Sequence, residues 1–262
     1  MAIQVNSAIA QLPNIKKIFI PDPGFMMFDA DLSGADAQVV AWEADDDELK
    51  KLFRSGANVH MHNAGAMFGD RWHKAEGHHK QLGTPRGRLY YDCKRAVHAT
   101  NYVGSARTLA ATLGWMVHEA EDFQRRWFRL HPGIRDWHER VKTDLRTTHT
   151  VRNRCGYHRT YFDRPDSVLP EAIAWIPQST IAITCFRGAM QLERVWPTTQ
   201  VLLQTHDSVT FQIPLNDLPT MDELRRGLEN PIPYPDPLTI QWKVAMSTKS
   251  WGDCEEPKEV KK

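Results

Sequence analysis

Phe25-Met26-Met27-Phe28-Asp29-Ala30-Asp31-Leu32-Ser33-Gly34-Ala35-Asp36-Ala37-Gln38 decides how the chain is read. The apolar run Phe25 to Phe28 predicts a short buried strand. It ends among acids, and a helical pattern begins at Ala35. A carboxylate where a buried strand stops is costly unless it is paired or holds a cation. One such acid is a weak signal, but a second one at a strand end far along the chain makes a divalent-metal site a reasonable expectation. Ser33 and Asp36 also fit the S-x-x-D pattern of a helix capping box, worth about 1 kcal/mol, which gives Asp36 a purely structural reading.

The second element is present. Val201-Leu202-Leu203-Gln204-Thr205 runs into His206-Asp207, and Ser208-Val209-Thr210-Phe211-Gln212-Ile213 leaves with period-two alternation. That pattern predicts a tight hairpin with an acid at its tip. Between the two acids lies Lys94-Arg95-Ala96-Val97-His98-Ala99-Thr100-Asn101-Tyr102. Lys94, His98 and Tyr102 are four apart, so on a helix they share one face at intervals of about 6 Å. A cation, an imidazole and a phenol in a row suit a triphosphate and a base.

With these three stretches in hand, the chain resembles the polymerase core of family A DNA polymerases, the bacterial DNA polymerase I type. Asp31-Leu32-Ser33-Gly34-Ala35-Asp36 is similar to the family's motif A, D-Y-S-Q-I-E; Lys94 to Tyr102 to its motif B, K-x3-F-x3-Y-G; and Thr205-His206-Asp207-Ser208 to its motif C, V-H-D-E. The resemblance covers nearly all of this chain but only the C-terminal palm and fingers of the usual polymerase. It implies an α+β fold: a right-hand palm with an antiparallel sheet and an inserted helical fingers lobe, thumb and exonuclease domains being absent. The expected bounds are palm over 1–55 and 167–262 and fingers over 56–166, with a disordered tail at about 255–262.

The implied function is template-directed DNA synthesis, the transfer of a nucleotide from a dNTP to a primer 3′-OH, by a two-metal mechanism with Mg²⁺. By resemblance Asp31, Asp207 and Lys94 are catalytic, and the two metals are held by Asp31, Asp207 and the backbone carbonyl of Leu32. His60, Asp36, His98, Tyr102, Gln178, His206 and Arg88 are the implied substrate-binding residues. Asp36 falls where the family has the Glu that sits under the sugar, and Gln178 where a family Gln reads the minor groove, whose acceptors are shared by all base pairs. Tyr90 stands where the family has an Arg, with Arg86 or Arg88 as substitutes. The implied partners are primer–template DNA, dNTPs and a separately encoded chain carrying thumb and exonuclease, as in a phage-like or split enzyme. An inactive nucleic-acid-binding remnant and a single-subunit RNA polymerase are the alternatives. Retention of Asp31, Asp207, Lys94 and Tyr102 argues against the first, and Asp36 against the second.

Composition sets the frame for this reading. A chain of 262 residues holds one large domain or two small ones. Lys plus Arg number 33 against 32 Asp plus Glu, a net charge of +1, so nucleic-acid contact must use local basic surface. Candidates are Arg86, Arg88, Lys94 and Arg95, then Arg152, Arg154 and Arg159. Cys93, Cys155, Cys185 and Cys254 show no C-x-x-C spacing, which argues against a zinc ribbon and a disulfide scaffold. No signal segment or membrane-length apolar run is seen, so a cytoplasmic protein is expected, in the host cytoplasm if phage-encoded.

Further elements follow from periodicity and breakers. A strand is expected over Ile15 to Pro21, from its resemblance to the family's I-R-Q-A-F-I-A-P. Asp70 to Gly87 reads as a mobile polar insertion. A helix runs from Leu89 to Gly114, interrupted at Gly104-Ser105-Ala106. His118 to Thr148 is helical with an apolar stripe of Phe123, Trp127, Leu130, Ile134 and Trp137, bent at His131-Pro132-Gly133. Thr150 to Asp166 reads as a hairpin. Pro170 to Val195 is a helix interrupted near Pro177, Met221 to Leu228 a short helix, and Leu238 to Val244 a strand.

Overall fold

The apolar run at Phe25 grows into an eight-residue strand that carries both Asp29 and Asp31 within the sheet. The computed structural model describes residues 14–257. In chain order the elements are β1 (Phe25–Leu32), α1 (Ala35–Glu43), α2 (Asp47–Arg54), α3 (Val59–Phe68), α4 (Asp70–Lys74), α5 (Pro85–Asn101), α6 (Ala106–Leu113), α7 (Val117–Leu130), α8 (Pro132–Thr148), β2 (Thr150–Arg152), β3 (His158–Thr160), α9 (Pro165–Val195), β4 (Gln200–Thr205), β5 (Ser208–Pro214), α10 (Met221–Leu228) and β6 (Trp242–Ser247). The fold is α+β, as expected. It divides into two compact units: a sheet unit, made of the chain up to Ser33, Ala182–Pro231 and Thr239 onward, and a helical unit, Gly34–Ile181 with Ile232–Leu238.

The sheet unit is a four-stranded antiparallel sheet in the order β4-β5-β1-β6. β5 lies between β4 and β1, and its residues Val209 to Ile213 are all buried, so its period-two pattern separates two covered faces rather than core from solvent. Phe28 and Phe211 are register partners whose rings stack at 5.1 Å, and both are fully buried. β6 starts four residues later than expected. Leu238 instead makes an isolated bridge to Ile232. The expected strand at Ile15 to Pro21 is not formed: Ile15–Ile18 is a 3₁₀ turn capped by Asn14, and Ile18, Phe19 and Ile20 are exposed. With no neighbouring strand among the described residues to take its N–H groups, the run has no ladder to join.

The helical unit closes on Trp127, Ile134, Trp137, Leu145 and Ile173, all nearly or fully buried. Leu130, expected in the same stripe, is exposed, because α7 ends there and the chain turns at His131. The bend needs Gly133: a Cβ at that position would lie 2.3 Å from the carbonyl oxygen of Ala44. The expected break between α5 and α6 is present. α9 corrects the expectation, since it begins at Pro165 and continues through Pro170 and Pro177. A helix-interior proline costs roughly 3 kcal/mol. Here Ala172, Ile173 and Ile176 are buried around the lesion, and Thr180 Oγ1 donates to the Ile176 carbonyl at 2.7 Å.

Residues 70–87 are folded rather than a bare insertion. α4 buries Trp72, and Arg86 N–H donates to the Glu76 carbonyl at 3.1 Å. Glu255, placed in the expected tail, pairs with Met246, while 258–262 lie outside the described residues. No helix among the described residues is long and apolar enough to cross a membrane.

Candidate active site

The sheet unit brings the two sequence-predicted acids together. Asp31 pairs in register with Ser208, the residue after Asp207, and Leu32 N–H donates to the Asp207 carbonyl at 2.8 Å. Asp207 sits in the two-residue turn between β4 and β5, where His206 takes a left-handed φ of 53°. Burial, and then the charges of Asp207 and Asp29, push the Asp31 carboxyl up to about 6; Lys243 and Lys16 oppose them. Lys16 bridges Asp29 at 3.5 Å, which leaves Asp31 and Asp207 as the mutually repelling pair.

A cation fits such a pair. Among the described residues no cluster of three or more His, Cys, Asp and Glu ligands is present. The residues that could hold a cation are Asp31 and Asp207, with the Leu32 carbonyl as the sequence-expected third oxygen; an all-oxygen set of that kind suits a hard ion that keeps several waters.

Sequence reasoning missed three neighbours of this site. Asp29 could have been found from its period-two spacing to Asp31, which puts both on one face. Lys243 is Asp31's register partner in β6 and is visible only once the strands pair. Cys185 sits on α9 with its thiol directed at the His206 carbonyl, Sγ to O 3.8 Å, and its pKa is pushed up to about 12 by burial and by Asp207 and Asp31. It is a protonated filler under the turn. His206 itself is exposed, and its carbonyl also accepts from Gln204 Nε2 at 2.8 Å.

The remaining predicted residues, apart from Leu32 at the end of β1, lie in the helical unit. Lys94 and His98 are exposed on one face of α5, and Tyr102 is its C-cap. The His98 and Tyr102 rings are 4.7 Å apart. Asp36 does not cap α1: the N-cap is Gly34, in the left-handed region at φ 60°, without a side-chain cap bond. The capping-box reading is thereby corrected. Asp36 instead accepts a hydrogen bond from the Tyr102 hydroxyl, and His98 Nδ1 lies 3.2 Å from its other oxygen. Burial and the Asp36 charge raise the Tyr102 phenol, so it stays a donor.

His60 is in the first turn of α3, which is capped by Asn58. Burial, with Lys94 nearby, pushes its imidazole down to about 4, and its buried Nδ1 has no partner among the described residues. Tyr90 is buried edge-on to His60 at 5.9 Å. Arg88 is exposed and pairs with Asp92 at 3.8 Å, while Arg86 lies over Trp72. Gln178 is exposed on α9.

A sequence model described as DNA polymerase family A matches residues 3–253. The chain belongs to DNA polymerase family A. It is 29% identical to a thermostable DNA polymerase I of Thermus filiformis over 91% of this chain and 28% of that protein. It is 26% identical to the thermostable DNA polymerase I of Thermus aquaticus, again over 91% and 28%. A DNA polymerase of Mycobacterium phage D29 is 23% identical over 76% of the chain and 31% of that protein. This family A chain thus spans about three-tenths of the length of these relatives. Its fold matches the polymerase domain of Pol1 from M. smegmatis, solved with DNA primer–template and dNTP, at a TM-score of 0.75 and 20% identity. That match covers 89% of this chain and 41% of that one.

Proposed function

We propose that this chain carries the catalytic core of template-directed DNA synthesis, extending a primer 3′-OH with dNTPs as a DNA-directed DNA polymerase. The observation that carries the reading is the meeting of Asp31 and Asp207 at one end of the antiparallel sheet, in a chain of family A. The proposed palm is 1–55 with 167–262 and the proposed fingers 56–166, a division by role rather than by packing.

The primer 3′-oxygen attacks the α-phosphorus and pyrophosphate leaves. Asp31, Asp207 and the Leu32 carbonyl are proposed to hold two Mg²⁺, which when bound lower the pKa of the attacking oxygen and offset charge on the leaving group. Lys94 Nζ binds the triphosphate and donates a proton to the departing pyrophosphate oxygen. Asp36, oriented by the Tyr102 hydroxyl, faces the sugar, and His98 and Tyr102 shape the base-pair pocket. His60, uncharged at neutral pH, offers its unpartnered Nδ1 to the triphosphate, with Arg88 and His206 as further contacts. Gln178 reads the duplex minor groove. Catalysis on this reading is mostly positioning and charge stabilisation.

Single-turnover primer extension with Mg²⁺ tests it. Asp31→Ala and Asp207→Ala should each lower the rate by about three orders of magnitude while the chain stays folded by circular dichroism. Near-normal extension by either variant rejects the assignment; a wild-type chain that binds DNA but never extends it identifies an inactive remnant.

A companion chain carrying thumb and exonuclease is proposed on a surface feature: Ile15, Ile18, Phe19 and Ile20 are 50–69% exposed on the sheet unit, an apolar patch suited to a partner. Size-exclusion at physiological salt checks this. A well-behaved monomer that extends primers processively alone rejects it.

A further inference from the structure

The ribbon formed by β2 and β3 has no part in the roles above. Its register pairs Thr150 with Thr160, Val151 with Arg159 and Arg152 with His158. Tyr161 N–H donates to the His149 carbonyl at 2.8 Å, carrying the ladder one residue further. Opposed residues of an antiparallel pair share a face, and side chains alternate along each strand. One face therefore takes Val151, Asn153 and Tyr161, all buried, together with the exposed Tyr157 and Arg159. The other takes Thr150, Arg152, His158, Thr160 and, next in the alternation, Phe162.

That second face is bare. Phe162 is 94% exposed, more than any other large apolar residue described. Arg152, His158 and Thr160 are exposed too. The neighbouring guanidiniums are engaged, Arg154 with Glu43 at 3.3 Å and Arg159 with Glu171 at 2.5 Å, whereas Arg152 has no ion-pair partner among the described residues. Asp166, just beyond the ribbon, is neutralised by Lys142 at 3.3 Å and Arg146 at 3.5 Å. The ribbon is also fixed in place: Asn153 Nδ2 donates to Ser179 Oγ at 2.9 Å, and Ser179 directly follows Gln178 on α9.

A free phenyl ring and an unpaired guanidinium on one face of the ribbon, about four residues apart along it, match the two halves of a single-stranded nucleic acid spanning successive nucleotides. Every base offers a face for stacking, and every phosphate a charge for arginine. A duplex hides its base faces and would leave Phe162 unused. An acidic protein surface would use Arg152 but not the ring. We propose that the outer face of the β2–β3 ribbon binds single-stranded DNA, stacking a base on Phe162 and holding a phosphate with Arg152. Its placement beside Gln178 makes the bound strand the unpaired template, and this last step alone rests on the polymerase reading.

The test is fluorescence anisotropy of the intact chain with a labelled oligothymidylate about 20 nucleotides long. Phe162→Ala should raise Kd about tenfold, and Phe162→Trp should restore it. Arg152→Ala should weaken binding and reduce the slope of log K against log salt by about one. Affinity for blunt duplex should change far less in all three variants. Because Phe162 is almost wholly exposed, its loss leaves the core intact. Unchanged Kd in Phe162→Ala, or equal losses for single strand and duplex, overturns the proposal, as does loss in Arg152→Ala with none in Phe162→Ala, the pattern of general charge attraction. In primer extension, Phe162→Ala should slow use of long template overhangs but not of one-nucleotide overhangs. If the wild type fails to extend any primer while the anisotropy result holds, the polymerase reading falls and the ribbon site stands.

Discussion

The acids of the sheet unit and those of the helical unit are treated in opposite ways. In the helical unit buried carboxylates are matched. Glu43 accepts from the Tyr234 hydroxyl at 2.9 Å and from Arg154, and Asp46 caps α2 while lying 3.0 Å from His131 Nδ1. In the sheet unit Asp31 faces Asp207 and Asp29, with Lys243 and Lys16 only partly offsetting them. Matched acids hold a fold together, while unmatched ones must be held in place by the fold. The repelling pair lies beside the Leu32–Asp207 backbone hydrogen bond, at the end of a sheet whose buried floor includes the stacked Phe28 and Phe211.

The largest effect should come from removing that floor. Phe211→Ala is expected to destabilise by about 4 kcal/mol, read as the change in denaturant midpoint at constant m. A loss below about 1 kcal/mol would show that the sheet does not depend on it. Breaking a matched acid should cost less. Arg154→Ala strips one partner from Glu43, whose pKa burial already raises, and should cost about 2 kcal/mol, the guanidinium being part-exposed. Extension by the surviving folded fraction should be normal, and a selective loss of turnover would mean that Glu43 is more than structural.

Lys94→Ala touches function without stability. It should lower single-turnover rate or dNTP affinity about tenfold, because a charge-assisted phosphate contact is lost. Unchanged kinetics would remove Lys94 from the site. The same change should raise the pKa of His60, since Lys94 helps depress it, and NMR titration of that imidazole gives an independent reading.

The smallest effect sharpens the contrast most. The Asp31 carboxyl is raised from 3.8 to about 6 in the folded state, so the fold binds its proton more tightly than the unfolded chain. The stability this adds is full below pH 3.8 and is lost as pH rises through about 6. Asp31→Asn should therefore be more stable than wild type at pH 8 without divalent ions, by about 1 kcal/mol, since solvent reaches the partly desolvated carboxyl and screens it, and the gap should close near pH 4. Saturating Mg²⁺ should shrink the gap by stabilising only the wild type. Equal thermal transitions at pH 8 in EDTA would show that Asp31 is not under repulsion.

The sequence alone determined the parts built from local rules: a buried strand ending in acids, the hairpin tip at His206-Asp207, the Lys94–His98–Tyr102 face, the break before Ser105 and the family those motifs belong to. It misjudged what depends on neighbours. Ser33 and Asp36 spell a capping box, yet Gly34 takes the cap and Asp36 turns to Tyr102, sixty-six residues away in sequence. Pro177 should break a helix, but packing around Ile173 and Ile176 carries α9 through it. β6 starts at Trp242 because that is where β1 offers a partner edge, and Ile15 to Ile20 is no strand because none is offered among the described residues. Which carboxylates are paired and which repel was likewise decided only by tertiary structure. A charge's environment is set by groups within a few ångströms in space, and the chain order does not fix those until the strands have chosen their register.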